Sequence, residues 1–87
     1  MPSETRLTAA GQLFGARLKV LREKRGLSQR ALASMADLPD THISAIERGV
    51  ALPNLLTVIR LALALDCKVA ALTSAFDKTD LASLLPK

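Results

Sequence analysis

The sequence predicts an all-α protein, and three observations carry this prediction. Apolar residues make up 49% of the 87 residues and are mostly Leu and Ala, whereas Trp and Tyr are absent and Phe occurs twice. Apolar positions recur at helical spacing along most of the chain. Breaks at Gly26, Pro39, Gly49 and Pro53 divide this pattern into short helices. We therefore expect a compact bundle of five helices, followed by a short helical extension.

A chain of this length forms one domain, because two units would each be too small to bury a core. We divide it into a flexible tail over residues 1–10, a helical domain over 11–76 and a C-terminal extension over 77–87. The tail lacks the apolar segment of a signal peptide. The most apolar run, residues 55–76, contains charged residues and predicts amphipathic helices instead of a membrane span. We expect a cytoplasmic protein.

Cysteine and histidine content argues against several classes of site. With one Cys and one His, the chain offers neither an intramolecular disulfide nor a set of metal ligands. The sequence also shows no nucleophile, base or phosphate-binding loop at a recognisable spacing. We therefore predict no metal, no cofactor and no enzymatic activity.

The first predicted helix spans residues 13–25 and lies in the most basic part of the chain. Phe14, Leu18 and Leu21 recur at i, i+4 and i+7, and Gly26 ends the helix. Residues 1–27 contain six Lys or Arg and two Glu, whereas residues 28–49 contain two Arg and three acidic residues. A net charge of +4 is compatible with a nucleic-acid partner, and the positive charge lies beside the next segment instead of inside it.

Residues 27–49 contain two short helical patterns around a break at residues 37–39, the arrangement of a helix-turn-helix. Ser28 is a suitable N-cap, so the first of these helices is predicted over residues 29–36. The second helix starts at Pro39, whose ring presets helical φ, or at Asp40 as a side-chain cap. It ends at Gly49.

The second of these helices presents a polar face. At about 100° per residue, Ile43, Ile46 and Glu47 point inward. Thr41, Ala45 and Arg48 lie opposite them. This outward face is nearly free of bulky groups, as a helix entering a major groove about 12 Å wide requires. The alternative is an ordinary solvated helix face.

These residues resemble the lambda-repressor-like (Cro/C1, XRE) family of helix-turn-helix DNA-binding domains. The resemblance covers residues 13–72, and the residues that carry it are Gln29, Leu32-Ala33, Ile43-Ser44, Ile46-Glu47-Arg48-Gly49, Pro53 and Leu61-Ala62-x-Ala64-Leu65. It implies a five-helix lambda-repressor-like fold and double-stranded DNA as the partner. It also implies that Arg22 pairs with Glu47 to hold the fold, the alternative being an ordinary surface Arg.

The resemblance further implies which residues contact DNA. The residues expected to read bases are Asp40, Thr41, His42, Ser44 and Ala45. The residues expected to contact phosphates are Arg17, Ser28, Gln29, Arg30, Arg48 and Asn54. Asp40 departs from the family pattern, since an acidic residue repels phosphate unless it caps the helix or accepts a hydrogen bond from cytosine N4. Of these two roles we favour capping, because Pro39 occupies the position where the family often has a Ser, Thr or Asp cap. His42 is expected to reach either a phosphate or a base.

The fourth predicted helix is capped by Asn54 and runs to Leu65. Its inward stripe is predicted to be Leu55, Val58, Ala62 and Leu65. Leu56 and Leu63 lie off that stripe, and two Leu on one exposed face indicate a partner surface.

A fifth helix over residues 68–76 is predicted to bury Val69, Leu72 and Phe76. Cys67 is expected to be a small buried hydrophobe, with a redox role as the alternative. The last segment, residues 79–85, carries Leu81 and Leu84 at helical spacing. Two turns are unstable alone, so this segment must pack on its own domain, on a second copy or on another protein.

The leading functional hypothesis is a sequence-specific DNA-binding transcriptional regulator, acting as a homodimer on a palindromic operator as a repressor or autoregulator. Dimer contacts are expected from Leu56, Leu63, Leu81 and Leu84. One variant is a restriction-modification controller protein, because residues 41–44 resemble part of that subgroup's Arg-Thr-Tyr-Ile-Ser stretch, with Asp40 and His42 departing from it. The alternative from another class is an antitoxin that binds a toxin and represses its own operon.

Overall fold

The computed structural model describes residues 9–85, in which five α-helices precede two short 3-10 segments. The helices are α1 (Ala9–Lys24), α2 (Gln29–Ala36), α3 (Asp40–Glu47), α4 (Leu55–Leu65) and α5 (Val69–Thr73). The 3-10 segments are Ser74–Lys78 and Leu81–Leu84. The predicted all-α class is therefore confirmed. Residues 1–8, which form most of the predicted tail, lie outside the described residues.

Local sequence signals fix the ends of the middle helices. The Ser28 hydroxyl accepts a hydrogen bond from the Ala31 amide at 2.9 Å, and the Asn54 side chain accepts one from the Thr57 amide at 2.8 Å. Both predicted N-caps are thus confirmed, and each satisfies an amide that the helix itself leaves without a partner. After α3 the backbone turns at Gly49 with φ +80°, a conformation that glycine adopts without strain.

The core is built from all five helices. Its large side chains without solvent exposure, or nearly so, are Leu18, Leu32, Ile43, Ile46, Leu61, Leu65 and Leu72. Each such side chain contributes about 1.5–3 kcal/mol of hydrophobic stabilisation, before the conformational entropy lost on folding. α3 is anchored in this core by two isoleucines one turn apart, so one side of that helix is fixed inward and the other is left outside.

α1 crosses α3 closely at Gly15. A Cβ atom on Gly15 would clash with the Ile46 carbonyl oxygen and lie 2.8 Å from that of Glu47. A glycine inside a helix costs about 1 kcal/mol relative to alanine, so its presence here reflects the need for close approach. This contact sets the position of the end of α3.

Two predicted helix faces need correction. Leu55, placed in the inward stripe of α4, is 71% exposed, and Leu61 is fully buried in its stead. The reason is that the buried side of α4 faces α2 and α5, and Leu55 lies in the first turn at the edge of that contact. In α5, Leu72 is buried as predicted, but Val69 is exposed.

The helix boundaries also differ at both ends of the chain. α1 is already helical at Ala9, the first described residue, four residues before the predicted start at Leu13. α5 ends at Thr73, and the predicted C-terminal α-helix is a 3-10 turn, since segments of four or five residues cannot build a long i→i+4 ladder. Within residues 9–85 no helix has both the length and the apolar character needed to cross a bilayer.

Candidate nucleic-acid interface

A buried ion pair joins α1 to the end of α3. Arg22 Nε donates to Glu47 Oε2 at 2.6 Å and Arg22 Nη2 donates to Glu47 Oε1 at 3.1 Å. The two side chains are only 10% and 3% exposed. The hydrogen bond to Glu47 raises the pKa of Arg22 above its usual value, against the lowering effect of burial. The predicted partners therefore meet in a two-bond geometry that keeps the guanidinium charged.

The same carboxylate ties in the start of α2. Gln29 Nε2 donates to Glu47 Oε1 at 2.9 Å, while Arg22 Nη1 donates to the Leu27 carbonyl oxygen at 2.7 Å. Four hydrogen bonds thus connect α1, the segment before α2, the first residue of α2 and the last residue of α3. Gln29 therefore links the start of α2 to the end of α3. The relative placement of α2 and α3 depends on this network.

An open groove lies next to the network, between the first turns of α2 and α3. Its volume is about 500 Å³, and its lining residues are Arg22, Ser28, Gln29, Arg30, Asp40, Thr41 and Ser44. Six of these seven were predicted to contact DNA, three as phosphate contacts and three as base contacts. All seven lining residues carry polar side chains, and the groove lies at the N-terminal ends of two helices, whose dipoles favour negative charge.

Asp40 does not cap α3, so the prediction of a side-chain cap at Asp40 is wrong. The N-cap is Pro39, which offers no side-chain hydrogen bond, and Asp40 is the first residue inside the helix. The Asp40 carboxylate instead lies 3.6 Å from Arg30 Nε across the groove. Proline at the cap with an acidic residue after it still suits the positive helix end. The carboxylate remains on the surface beside the groove.

Arg17 does not belong to this surface. Its Nε donates to the Ala71 carbonyl oxygen at 2.8 Å, so its guanidinium ties α1 to α5. The prediction of a phosphate contact by Arg17 is corrected accordingly. The helical spacing of α1 did not indicate that α5 packs beside Arg17, because that neighbour depends on the tertiary fold.

The other predicted contact residues, which do not line the groove, lie on α3 or after it. His42 and Ala45 are half-buried, whereas Arg48 and Asn54 are exposed. Arg48 Nε donates to the Ser44 carbonyl oxygen at 3.3 Å, which holds the side chain along α3. The Asn54 oxygen is occupied by its cap.

Two features of the surface were missed from the sequence. Gly15 holds α3 in place, and the signal for it was a glycine in the interior of a helix. Leu55 and Ile59 are exposed on α4 together with Leu56 and Leu63, so the apolar face of α4 is larger than predicted. Their spacing of three and four residues was the available signal.

Comparison with known proteins places this geometry in a family. The helix-turn-helix family HTH_3 matches residues 18–72, and the chain belongs to it. The restriction-modification controller protein C.AhdI from Aeromonas hydrophila is 38% identical, with a TM-score of 0.72, and the match covers 74% of this chain and 97% of that one. The clp gene regulator ClgR from C. glutamicum is 26% identical, with a TM-score of 0.73 over 83% of this chain and 95% of its own.

A curated relative gives the same class. The HTH-type transcriptional regulator y4dL from Sinorhizobium fredii is 40% identical over 52 residues, which cover 60% of this chain and 26% of that protein. The chain thus spans about a quarter of that relative's length. The family resemblance and the fold class predicted from the sequence are confirmed, and the relatives are DNA-binding transcription regulators and not enzymes.

Proposed function

We propose that this protein is a sequence-specific DNA-binding transcriptional regulator of the cytoplasm that reads duplex bases with the outer side of α3. The observation that carries the proposal is the division of α3 into two sides. Ile43 and Ile46 are fully buried, and the Glu47 carboxylate is held by Arg22 and Gln29. Thr41 and Ser44 meanwhile line the open groove. A rigidly held helix with a small polar outer side suits insertion into the major groove.

In this proposal some residues around the groove contact phosphates and others contact bases. Ser28, Gln29 and Arg30 contact phosphates at the start of α2, with Arg48 and the Asn54 side-chain NH₂ group at the flanks. The bases are contacted by Asp40, Thr41, His42, Ser44 and Ala45. Thr41 offers a hydroxyl and a methyl group, whereas Ala45 offers only a methyl group for contact with thymine.

The protein acts as a homodimer in this proposal. One recognition helix reads few base pairs, so useful specificity requires two half-sites about 34 Å apart. The α4 stripe, which we define as Leu55, Leu56, Ile59 and Leu63, supports a dimer because these four large apolar side chains fall on one face of the helix and are exposed. Of the C-terminal residues expected to contribute, Leu81 is exposed, whereas Leu84 already lines a groove on α1 in its own subunit.

A selection from randomised DNA duplexes at fixed salt tests this function. We expect purified protein to enrich a two-fold symmetric sequence and to lose affinity as salt rises, because phosphate contacts release counterions. Equal binding to all duplexes at low ionic strength would contradict the proposal.

A controller protein of a restriction-modification system is the specific form that the comparisons favour. The chain covers nearly all of C.AhdI, at 38% identity. The antitoxin alternative predicts a toxin reading frame beside the gene and a complex with its product. The controller form predicts restriction and modification genes beside it and an operator upstream of them.

A further inference from the structure

The pair formed by Arg30 and Asp40 is a second feature of the groove that calls for a role. The two side chains approach to 3.6 Å from neighbouring helices, and Arg30 is 88% exposed. Both also line a second groove of about 370 Å³ with Ala33, Ser34 and Leu38. The pair therefore forms the ridge between two grooves. An exposed pair of this kind adds little to stability, which leaves its placement beside the DNA-contacting side of α3 unexplained by folding alone.

We propose that Asp40 reads a cytosine, and that Arg30 leaves Asp40 for a phosphate only when that cytosine is present. This inference rests on the proposed function. An ionised carboxylate only accepts hydrogen bonds. In the major groove it finds a matching donor in the N4 amino group of cytosine, whereas guanine presents two acceptors and thymine presents O4. Adenine offers an N6 donor but places the N7 acceptor beside it.

The pair of Arg30 and Asp40 makes this reading selective mainly by weakening binding to duplexes that lack the cytosine. On a sequence without cytosine at this position, freeing Arg30 would leave the Asp40 carboxylate facing acceptors and phosphates. Arg30 therefore stays with Asp40, and the complex lacks one phosphate contact. On the matching sequence the amino group replaces Arg30 as the partner of Asp40, and Arg30 is released to the backbone. Discrimination arises from a penalty on wrong partners as well as from a contact with the right one.

The test combines changes in the protein with changes in the DNA. A duplex selected by the wild-type protein is altered by replacing each C·G pair of the half-site in turn with T·A, which exchanges the amino donor for an acceptor. At one position the wild-type protein should lose at least tenfold in affinity. Asp40→Asn should lose less than threefold there, because an amide both donates and accepts.

Two further variants separate this role from a general charge effect. Asp37→Asn removes the same charge from a matched pair, since Asp37 lies 3.6 Å from Arg60 and lines neither groove. It should keep the wild-type preference. Arg30→Gln should weaken binding to the selected duplex and lower the magnitude of the slope of log affinity against log salt by about 0.9 per subunit, or about 1.8 for a dimer on two half-sites, while the cytosine preference persists.

The outcomes distinguish this inference from the proposed function. If the wild-type protein prefers a site and Asp40→Asn keeps the same preference at every position, the role of Asp40 is refuted and the proposed function stands. If Asp37→Asn changes the preference as much as Asp40→Asn does, a general charge effect replaces base reading. If the wild-type protein binds all duplexes equally, both proposals fail.

Discussion

The surface around α2 and α3 differs from the outer side of α4 in how completely one subunit covers its own groups. In α3 both isoleucines are fully buried, and the Glu47 carboxylate receives hydrogen bonds from both Arg22 and Gln29. On α4 the stripe leaves apolar side chains in solvent, with Leu63 at 77% exposure. Within one subunit, the first region pairs its buried charges and exposes polar side chains, whereas the apolar side chains of the second region are exposed to solvent. This difference supports the proposals that DNA binds the surface around α2 and α3 and that a protein binds the α4 stripe.

The largest effect should come from breaking the buried network. Arg22→Ala should lower the free energy of unfolding by about 3–5 kcal/mol, because it leaves the Glu47 carboxylate buried without its charged partner. Urea denaturation measures this directly. The matched control is Arg25→Ala, which removes an exposed ion pair with Asp66. The two side chains are 3.5 Å apart and 48% and 92% exposed, so this substitution should lower the free energy of unfolding by at most about 1 kcal/mol. Equal losses in the two variants would show that the buried pair of Arg22 and Glu47 stabilises the fold no more than an exposed pair does.

The close crossing of α1 and α3 should be the next most sensitive point. Gly15→Ala should cost about 1–3 kcal/mol, because the added methyl group meets backbone oxygens that shift only if α3 moves. Melting curves, with Lys19→Ala on the exposed side of α1 as the control, provide the measurement. A stabilised Gly15→Ala protein would mean that helix propensity outweighs the clash.

The α4 stripe should respond in assembly and not in folding. Leu63→Glu should raise the dimer dissociation constant at least tenfold, or about 1.4 kcal/mol, because a carboxylate would be placed in an apolar contact. Its monomer should melt normally, since the side chain is already exposed. Sedimentation of this variant tests whether the dimer interface lies on α4. The control is Val20→Glu, a similar change at an exposed position of α1. A dimer that survives Leu63→Glu would place the interface elsewhere.

The smallest effect concerns a turn that belongs to neither surface. Asp66 ends α4 in the left-handed region with φ 52°, which glycine adopts more easily. Asp66→Gly should therefore raise the free energy of unfolding by about 0.5 kcal/mol, the stabilisation expected for glycine at such a helix end. That gain corresponds to a melting temperature higher by about 2–4 °C. Asp66→Asn, which loses the same exposed charge, is the control, and a lower melting temperature for Asp66→Gly would show that the ion pair to Arg25 matters more.

Much of the region around α2 and α3 was predictable because its signals are local. The Ser28 and Asn54 caps follow from residue type and position, and α2 has its predicted bounds. The contact of Arg22 with Glu47 was available only through the family resemblance, since 25 residues separate the two. What failed depended on tertiary placement: the partner of Arg17 is a carbonyl group in α5, and the exposure of Leu55 and Val69 depends on where neighbouring helices stop.

The error at Asp40 has a different origin. Both Asp40 and Pro39 suit the start of a helix, and sequence rules alone did not decide between them. The structure makes Pro39 the cap, which leaves the carboxylate beside the groove with Arg30. The residue that departs from the family pattern is therefore the one from which a specific base preference is inferred.

The most direct test of base reading by α3 is the affinity of Thr41→Ala for every single-base variant of a selected half-site. Thr41 is exposed, so melting should be unchanged, and the preference at one base position should fall by about 1–3 kcal/mol while the others persist. A uniform loss of affinity across all variants, or no change at any position, would contradict the account.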